Sequence, residues 1–265
     1  MPSLPRVVKE WLNFNRQVFQ SVFQEFEEYN VVVMDRTVPF ACNDCGRCCF
    51  TQDMGTFVYP NDIERMINSG AFLPLCCIFP QEDEWGNLSY AIPSKREWHE
   101  AIAELSETIQ DEPELIQAYR QLDHKLSGLN PDLQTLDDSC IFYVNSKQQN
   151  RCLIYEARPT GCRVYPFDRF KISHVQMPPE LAEKYQLLGD APAHDPYLYC
   201  DPACFTRSSP LKYKRIRENI VADKVNAILS TDVPEEFADI DFAMELFRAF
   251  HGRALESKNQ DTYSL

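Results

Sequence analysis

Apolar residues recur every third or fourth position at Val8, Trp11, Leu12, Val18, Phe19, Val22, Phe23 and Phe26, which predicts one amphipathic helix over residues 5 to 28 with an aromatic stripe turned to a core. Val31, Val32 and Val33 predict a short strand after it. Thr56 to Tyr59 reads as extended, followed by a short helix from Pro60 that Gly70 stops. Asp62 and Glu64 fall in the first turn of that helix, where its dipole favours carboxylates, so they read as capping residues rather than catalytic ones. Ser94 with Glu97 forms a capping box that opens a helix to about Gln110. Asp111 with Glu114 reads as a second box, opening a helix that ends near Gly128 and carries a seam of Leu115, Tyr119, Leu122 and Leu126.

Beyond this helical hairpin the period changes. Cys140 to Val144 and Cys152 to Tyr155 read as strands, and the polar linker 145–151 makes them a β-hairpin. Pro159 and Gly161 then predict a turn that presents Cys162 inward. Residues 176–210 are loop-rich, with five prolines between Pro178 and Pro202. Two helices are expected to close the fold, Leu211 to Leu229 and one capped by Asp232 and Glu235 that runs through Phe237, Ile240, Phe247 and Phe250; from Ser257 the chain reads as frayed.

Composition narrows the class. With 265 residues, 44% of them hydrophobic, the chain can bury a core of its own. The net charge of −14 speaks against nucleic acid as a partner, because phosphate binding needs a basic face. Eight glycines without a single G-x-G exclude dinucleotide and P-loop cradles. No apolar run approaches the length of a membrane span, so no membrane insertion is expected. The first residues carry Arg6, Lys9, Glu10 and Trp11 in helical rhythm rather than a signal segment, so the 11 cysteines read as a metal framework in the cytoplasm rather than as disulfides.

Charge is distributed unevenly along the chain. From Glu97 to Asp138 eleven acidic residues face only Arg120 and Lys125, a balance of −9 that reads as the solvated face of the helical hairpin. From Lys147 to Lys171 the sign reverses to +4, with Arg151, Arg158, Arg163 and Arg169 against Glu156 and Asp168. Cationic groups around a four-thiolate centre offset its net negative charge, and Arg158 and Arg163 are the candidates for that role.

The chemistry is concentrated in Cys42-Asn43-Asp44-Cys45-Gly46-Arg47-Cys48-Cys49, four sulfurs within eight residues. The spacing C-x2-C-x2-C lets a tight loop wrap thiolates around one centre, and Gly46 stands where the loop needs positive φ or a close backbone approach. The same spacing serves zinc, so the run says thiolate metal site without naming the metal. Cys140, Cys152 and Cys162 form a second group, and Cys200 or Cys204 supplies a late ligand. Cys76 and Cys77 lie in an apolar setting and read as buried thiols. His174 and His194, the histidines near these segments, read as ordinary polar residues.

Cys42-x2-Cys45-Gly46-x-Cys48-Cys49, Asp62-Ile63-x-Arg65, and Cys140 followed by Cys152-x-Ile154-Tyr155-Glu156-x-Arg158-Pro159-x2-Cys162-Arg163-x-Tyr165-Pro166-Phe167 resemble the YkgJ-type cysteine cluster family, described as a zinc- or iron-chelating domain. The resemblance covers residues 40–70 and 138–170 closely. Members are called Fe-S cluster proteins or Fe-S oxidoreductases, and flagellin lysine N-methylases carry a similar module. It implies metal binding by Cys42, Cys45, Cys48, Cys49, Cys140, Cys152 and Cys162, and leaves the reaction open.

The expected architecture is α+β and mainly helical, with a small antiparallel β-hairpin and a loop-rich metal-binding core. It is expected as a single domain 1–265: a metal module of 34–75 and 138–210, a helical insertion 94–130, and terminal helices 5–28 and 211–252. Three functions remain open. The first is a redox or regulatory protein or Fe-S oxidoreductase built on a 4Fe-4S cluster, with a protein partner or protein substrate. The second is a protein-modifying enzyme resembling the lysine N-methylases, and the third is a structural zinc protein. The two cysteine groups are expected to meet at one site.

Overall fold

The aromatic stripe at the start of the chain forms helix α1 (Arg6–Glu28), whose Val8, Trp11, Leu12, Val22 and Phe26 are buried. The computed structural model describes residues 4–28, 32–34, 46–50, 56–82, 88–108, 111–145, 150–164, 173–175, 179–184, 222, 225 and 242–256. After α1 come strand β1 (Val32–Met34), the short helix α2 (Arg47–Phe50), strand β2 (Thr56–Phe57) and helix α3 (Pro60–Ser69). Gly70 ends α3 at φ 75°, with its N–H on the Ile67 carbonyl, in the left-handed conformation that glycine reaches without strain.

Three elements follow that the pattern did not announce: helix α4 (Phe72–Leu75), strand β3 (Phe79–Glu82) and strand β4 (Leu88–Ile92). Sheet order β2-β4-β3 is antiparallel throughout, with Thr56 opposite Ile92 and Phe79 opposite Ala91. Pro80 hid β3, yet it is tolerated because β3 is an edge strand.

Helix α5 (Lys95–Thr108) begins with the expected box: the Glu97 side chain accepts from Ser94 N–H at 2.7 Å, and Glu97 N–H donates to Ser94 Oγ at 3.2 Å. Helix α6 (Pro113–Leu129) starts differently. Its N-cap is Glu112 without a side-chain cap bond, and Pro113, pre-set for helical φ, takes the first position in place of the expected Asp111 and Glu114 box.

Strands β5 (Tyr143–Asn145) and β6 (Asn150–Cys152) form the expected hairpin, with Tyr143 opposite Cys152, but β6 ends at Cys152, where the sequence pattern has the second strand begin, and Tyr155–Ala157 is a 3-10 turn rather than strand. The expected turn at Gly161 is instead a short helix, α7 (Thr160–Val164). Strand β7 (Ser173–Val175) pairs with β1, and helices α8 (Pro179–Lys184) and α9 (Phe242–Glu256) complete the described elements. The molecule is therefore α+β, mainly helical, with small antiparallel sheets. The expected helix from Leu211 to Leu229 and the frayed end from Ser257 lie outside the described residues, save that Ala222 and Val225 are helical. Of the last helix, the start with its caps also lies outside them.

One core joins these parts. Val8, Trp11 and Leu12 of α1, Ile63 and Met66 of α3, Trp98 of α5, the α6 seam, and Phe242, Phe247 and Phe250 of α9 belong to a single buried cluster. The helical hairpin is solvated only on its outer face, because an apolar seam on α6 must be covered and α9 covers it. Tyr119 stacks on Phe247 with ring centroids 3.7 Å apart, and Phe72 stacks on Phe250 at 5.1 Å. Among the described residues no helix is long and apolar enough to cross a membrane.

Phe247→Ala removes the ring that joins α6 to α9, and the cost expected is about 3–5 kcal/mol. Urea unfolding of the two proteins measures it; a loss below about 1 kcal/mol would mean that the stack is not part of the core.

Candidate metal centre

The first cysteine group is shaped by Gly46. It sits at φ 75°, and a β-carbon there would lie 2.0 Å from the Tyr143 hydroxyl, so both the dihedral and the space demand glycine. Cys49 N–H donates to the Gly46 carbonyl at 2.8 Å, and Phe50, exposed to 44%, meets Tyr143 edge-on at 5.4 Å. The second group then arrives on the first directly, since Cys140 N–H donates to the Cys49 carbonyl at 3.0 Å.

Cys140 is held from two sides. It bridges Ser94, the cap of α5, while Lys95 N–H and Arg96 N–H donate to the carbonyls of Ser139 and Asp137 at 2.8 and 3.2 Å. The side chain of Lys95 is wholly buried with Nζ 3.5 Å from Asp137. Asp137 also accepts from Ser139 N–H at 2.9 Å, from Ser139 Oγ, and from Thr135 Oγ1 at 2.8 Å. Partial burial alone would raise the Asp137 pKa, but the bonds from Ser139 and Thr135, with Lys95 behind them, hold it below the ordinary value. On the far side, buried Asn130 donates to the carbonyls of Ile141 and Tyr143 at 2.8 and 3.0 Å, fixing the path from Cys140 into β5.

Cys152 ends β6, and Cys162 lies in α7 with its thiol 3.8 Å from the hydroxyl of Thr56, which it meets as donor. Helix α7 is tied to α3 by Asp62, a wholly buried carboxylate that accepts from Thr160 N–H at 3.0 Å and from Thr160 Oγ1 at 2.6 Å. The same carboxylate takes Tyr59 N–H at 3.3 Å and pairs with Arg65 at 2.9 Å. Its expected capping role is real, but its reach extends to a second helix.

The arginines divide in function. Arg158 lies over the Tyr155 ring at 3.7 Å, donates to the Tyr155 carbonyl at 2.8 Å, and lines a cavity together with Cys152 and Cys162. Arg163 donates to the carbonyls of Glu156 and Arg158, and Arg65 donates to the Arg158 carbonyl as well. Burial, with Arg65 and Arg158 close by, pulls the Arg163 pKa below its usual value. Arg163 therefore shapes the loop before α7 and is not among the residues that line the cavity.

Cys49, Cys140, Cys152 and Cys162 line one cavity of about 40 Å³, together with Gly46, Thr56, Tyr143, Arg151, Tyr155 and Arg158. No histidine or carboxylate among the described residues lines it. Among the described residues, however, no three His, Cys, Asp or Glu side chains are gathered tightly enough to hold a metal ion. Of the other expected ligands, Cys48 is described only as backbone within α2, and Cys42, Cys45 and Cys200 lie outside the described residues, as do Cys204 and His194. His174 is placed in β7 opposite Val33. Cys76 and Cys77 are buried as expected. Burial pushes both thiols up, Cys77 also through its neighbours Cys76 and Cys140, which keeps them protonated.

A family model described as "CxxCxxCC: Putative zinc- or iron-chelating domain" matches residues 41–181, more than half of the chain. The chain belongs to the CxxCxxCC family. The YkgJ-type resemblance is a narrower naming of that same family. No curated protein and no solved structure matches the chain. The family's metal is compatible with the donors present, because a set of sulfurs in an apolar wall beside a guanidinium suits zinc or iron and not a hard cation such as magnesium. Thr56, Asn130, Tyr143 and Thr160 support the site and carried no motif of their own; only the Asn130-Pro131 step after a helix marked one of them.

Gly46→Ala meets both the left-handed penalty, about 1–2 kcal/mol, and a clash with Tyr143. Its melting temperature is expected to fall, and to fall by less when Gly46→Ala is made in a Tyr143→Ala background; an unshifted melting curve for Gly46→Ala contradicts this geometry. Asp137 predicts an acid limb. A carboxyl lowered by folding contributes stability that is complete above its unfolded pKa, near 3.8, and is lost as pH falls through the lower folded value. Asp137→Asn should flatten that limb in a series of denaturation curves from pH 6 downwards, and an unchanged limb would show that Asp137 does not titrate with folding.

Proposed function

We propose that this zinc- or iron-chelating domain holds a 4Fe-4S cluster on cysteine thiolates and works as a redox or regulatory protein in the cytoplasm, with a protein as partner. The observation that supports the reading is that Cys49, Cys140, Cys152 and Cys162 line one cavity together with the cationic residues Arg151 and Arg158. Iron-sulfur centres take thiolate ligands of this kind, and nearby positive charge and burial set their potential. The ligands are drawn from these four and from Cys42, Cys45, Cys48 and Cys200. Once bound, the cluster would supply one-electron transfer. The chain's own part is to hold the thiolates in a low-polarity wall and to place Arg158 against the negative charge.

A structural zinc site is the second reading, and the size of the cavity favours it. At about 40 Å³ it has room for an ion the size of a water, whereas a cluster requires the walls to part.

Anaerobic purification followed by iron, sulfide and zinc analysis decides between them. The cluster reading expects about four irons and four acid-labile sulfides per chain. Stoichiometric zinc without sulfide would overturn it in favour of the second reading. Arg158→Gln removes a cation that favours the reduced, more negative cluster, so the midpoint potential should move downwards with iron content retained. An unchanged potential would remove Arg158 from the account.

A further inference from the structure

We propose that Asp62 is a positioning residue for Cys162, acting from another helix to fix where that thiol meets the metal. The proposal rests on the metal reading above and goes beyond it by naming what sets one ligand's place.

Helix α7 has only five residues, too few to propagate a helix on its own, so its orientation depends on whatever anchors its first turn. That anchor is Asp62. Thr160 N–H, at the start of α7, lies 3.0 Å from each carboxylate oxygen, and Thr160 Oγ1 lies 2.6 Å from Oδ1. Tyr59 N–H at 3.3 Å and Arg65 at 2.9 Å hold the same carboxylate from its own side, leaving it no freedom to turn. Arg65 in turn reaches the Arg158 carbonyl, so the Asp62–Arg65 pair grips both the loop before α7 and its first residue.

Cys162 stands two residues after Thr160, and its thiol rests near Thr56 Oγ1. Thr56, Tyr59, Asp62 and Arg65 come from one continuous stretch, β2 into α3, so the sulfur is placed from its backbone and from its tip by the same piece of chain. Thiolate–metal distances tolerate only about 0.2 Å, so a small rotation of α7 is enough to take Cys162 out of the ligand set.

The test uses the full metal-free chain, titrated anaerobically with cobalt(II), whose thiolate charge-transfer bands report the number of sulfur ligands. Asp62→Asn is expected to weaken binding by about 10- to 100-fold, as the loss of a supporting contact around a metal site does. Its cobalt spectrum should match that of Cys162→Ser, and the double variant should bind no more weakly than Cys162→Ser alone. Should Asp62→Asn fail to fold, Thr160→Val, which keeps the backbone N–H bond and loses only the hydroxyl bond, decides by the same readouts with a smaller loss, about tenfold. A folded variant that binds cobalt with the wild-type spectrum and affinity overturns the proposal. So does an equal further loss in the Cys162→Ser background, which would mark a general effect on stability. Failure of the wild-type chain to bind any metal would instead bring down the metal reading itself, and this inference with it.

Discussion

One amide–carbonyl hydrogen bond, from Cys140 to Cys49, joins two stretches that the chain separates by its whole helical middle. The bond is useful only because both of its ends are also fixed by other contacts. Gly46 sets the path into Cys49 by adopting a backbone that other residues resist, with Tyr143 closing the space where a side chain would go. Cys140 is fixed by the cap of α5 and by Asn130 after α6. The helices between the cysteine groups thus hold the second group against the first, and their packing on α9 is what makes that hold rigid.

Electrostatics gives the site its character. The protein is acidic overall, yet at the start of α7 Arg65, Arg158 and Arg163 crowd together with Asp62 as their buried counter-charge. Their guanidinium groups donate to backbone carbonyls, which orients them, and of the three Arg158 lines the cavity with the thiols. A centre of four thiolates with zinc or with a cluster carries net negative charge, and Arg151 and Arg158 in the cavity wall offset part of it. Cys76 and Cys77 show the contrary case. Buried among apolar groups, they stay protonated thiols and behave as core.

Much of this was legible in the sequence wherever a pattern had a short-range cause. The stripe of α1, the stop at Gly70, the Ser94 and Glu97 box and the β5–β6 hairpin all follow from spacing or from a single residue's chemistry. The need for glycine at position 46 was visible too, though its partner Tyr143 was not, because nothing in the chain says that the two meet. Sheet β2-β4-β3 was missed since Pro80 masks β3, the strand that pairs with β4 along its length. Gly161 misled because glycine suggests a turn, whereas Asp62, far away in sequence, anchors a helix there. The acidic run was readable as an exposed face and the α6 seam as a buried one, but not that α9, more than a hundred residues on, is what covers that seam.

Whether the two cysteine groups form one thiolate site is read out by X-ray absorption at the iron and zinc edges of anaerobically purified protein. The account predicts a first shell made of sulfur alone at about 2.3 Å, with an iron–iron distance in addition if a cluster is present, and loss of that shell in both Cys49→Ser and Cys140→Ser. A shell dominated by oxygen or nitrogen, or a sulfur shell that Cys140→Ser leaves intact, would contradict it.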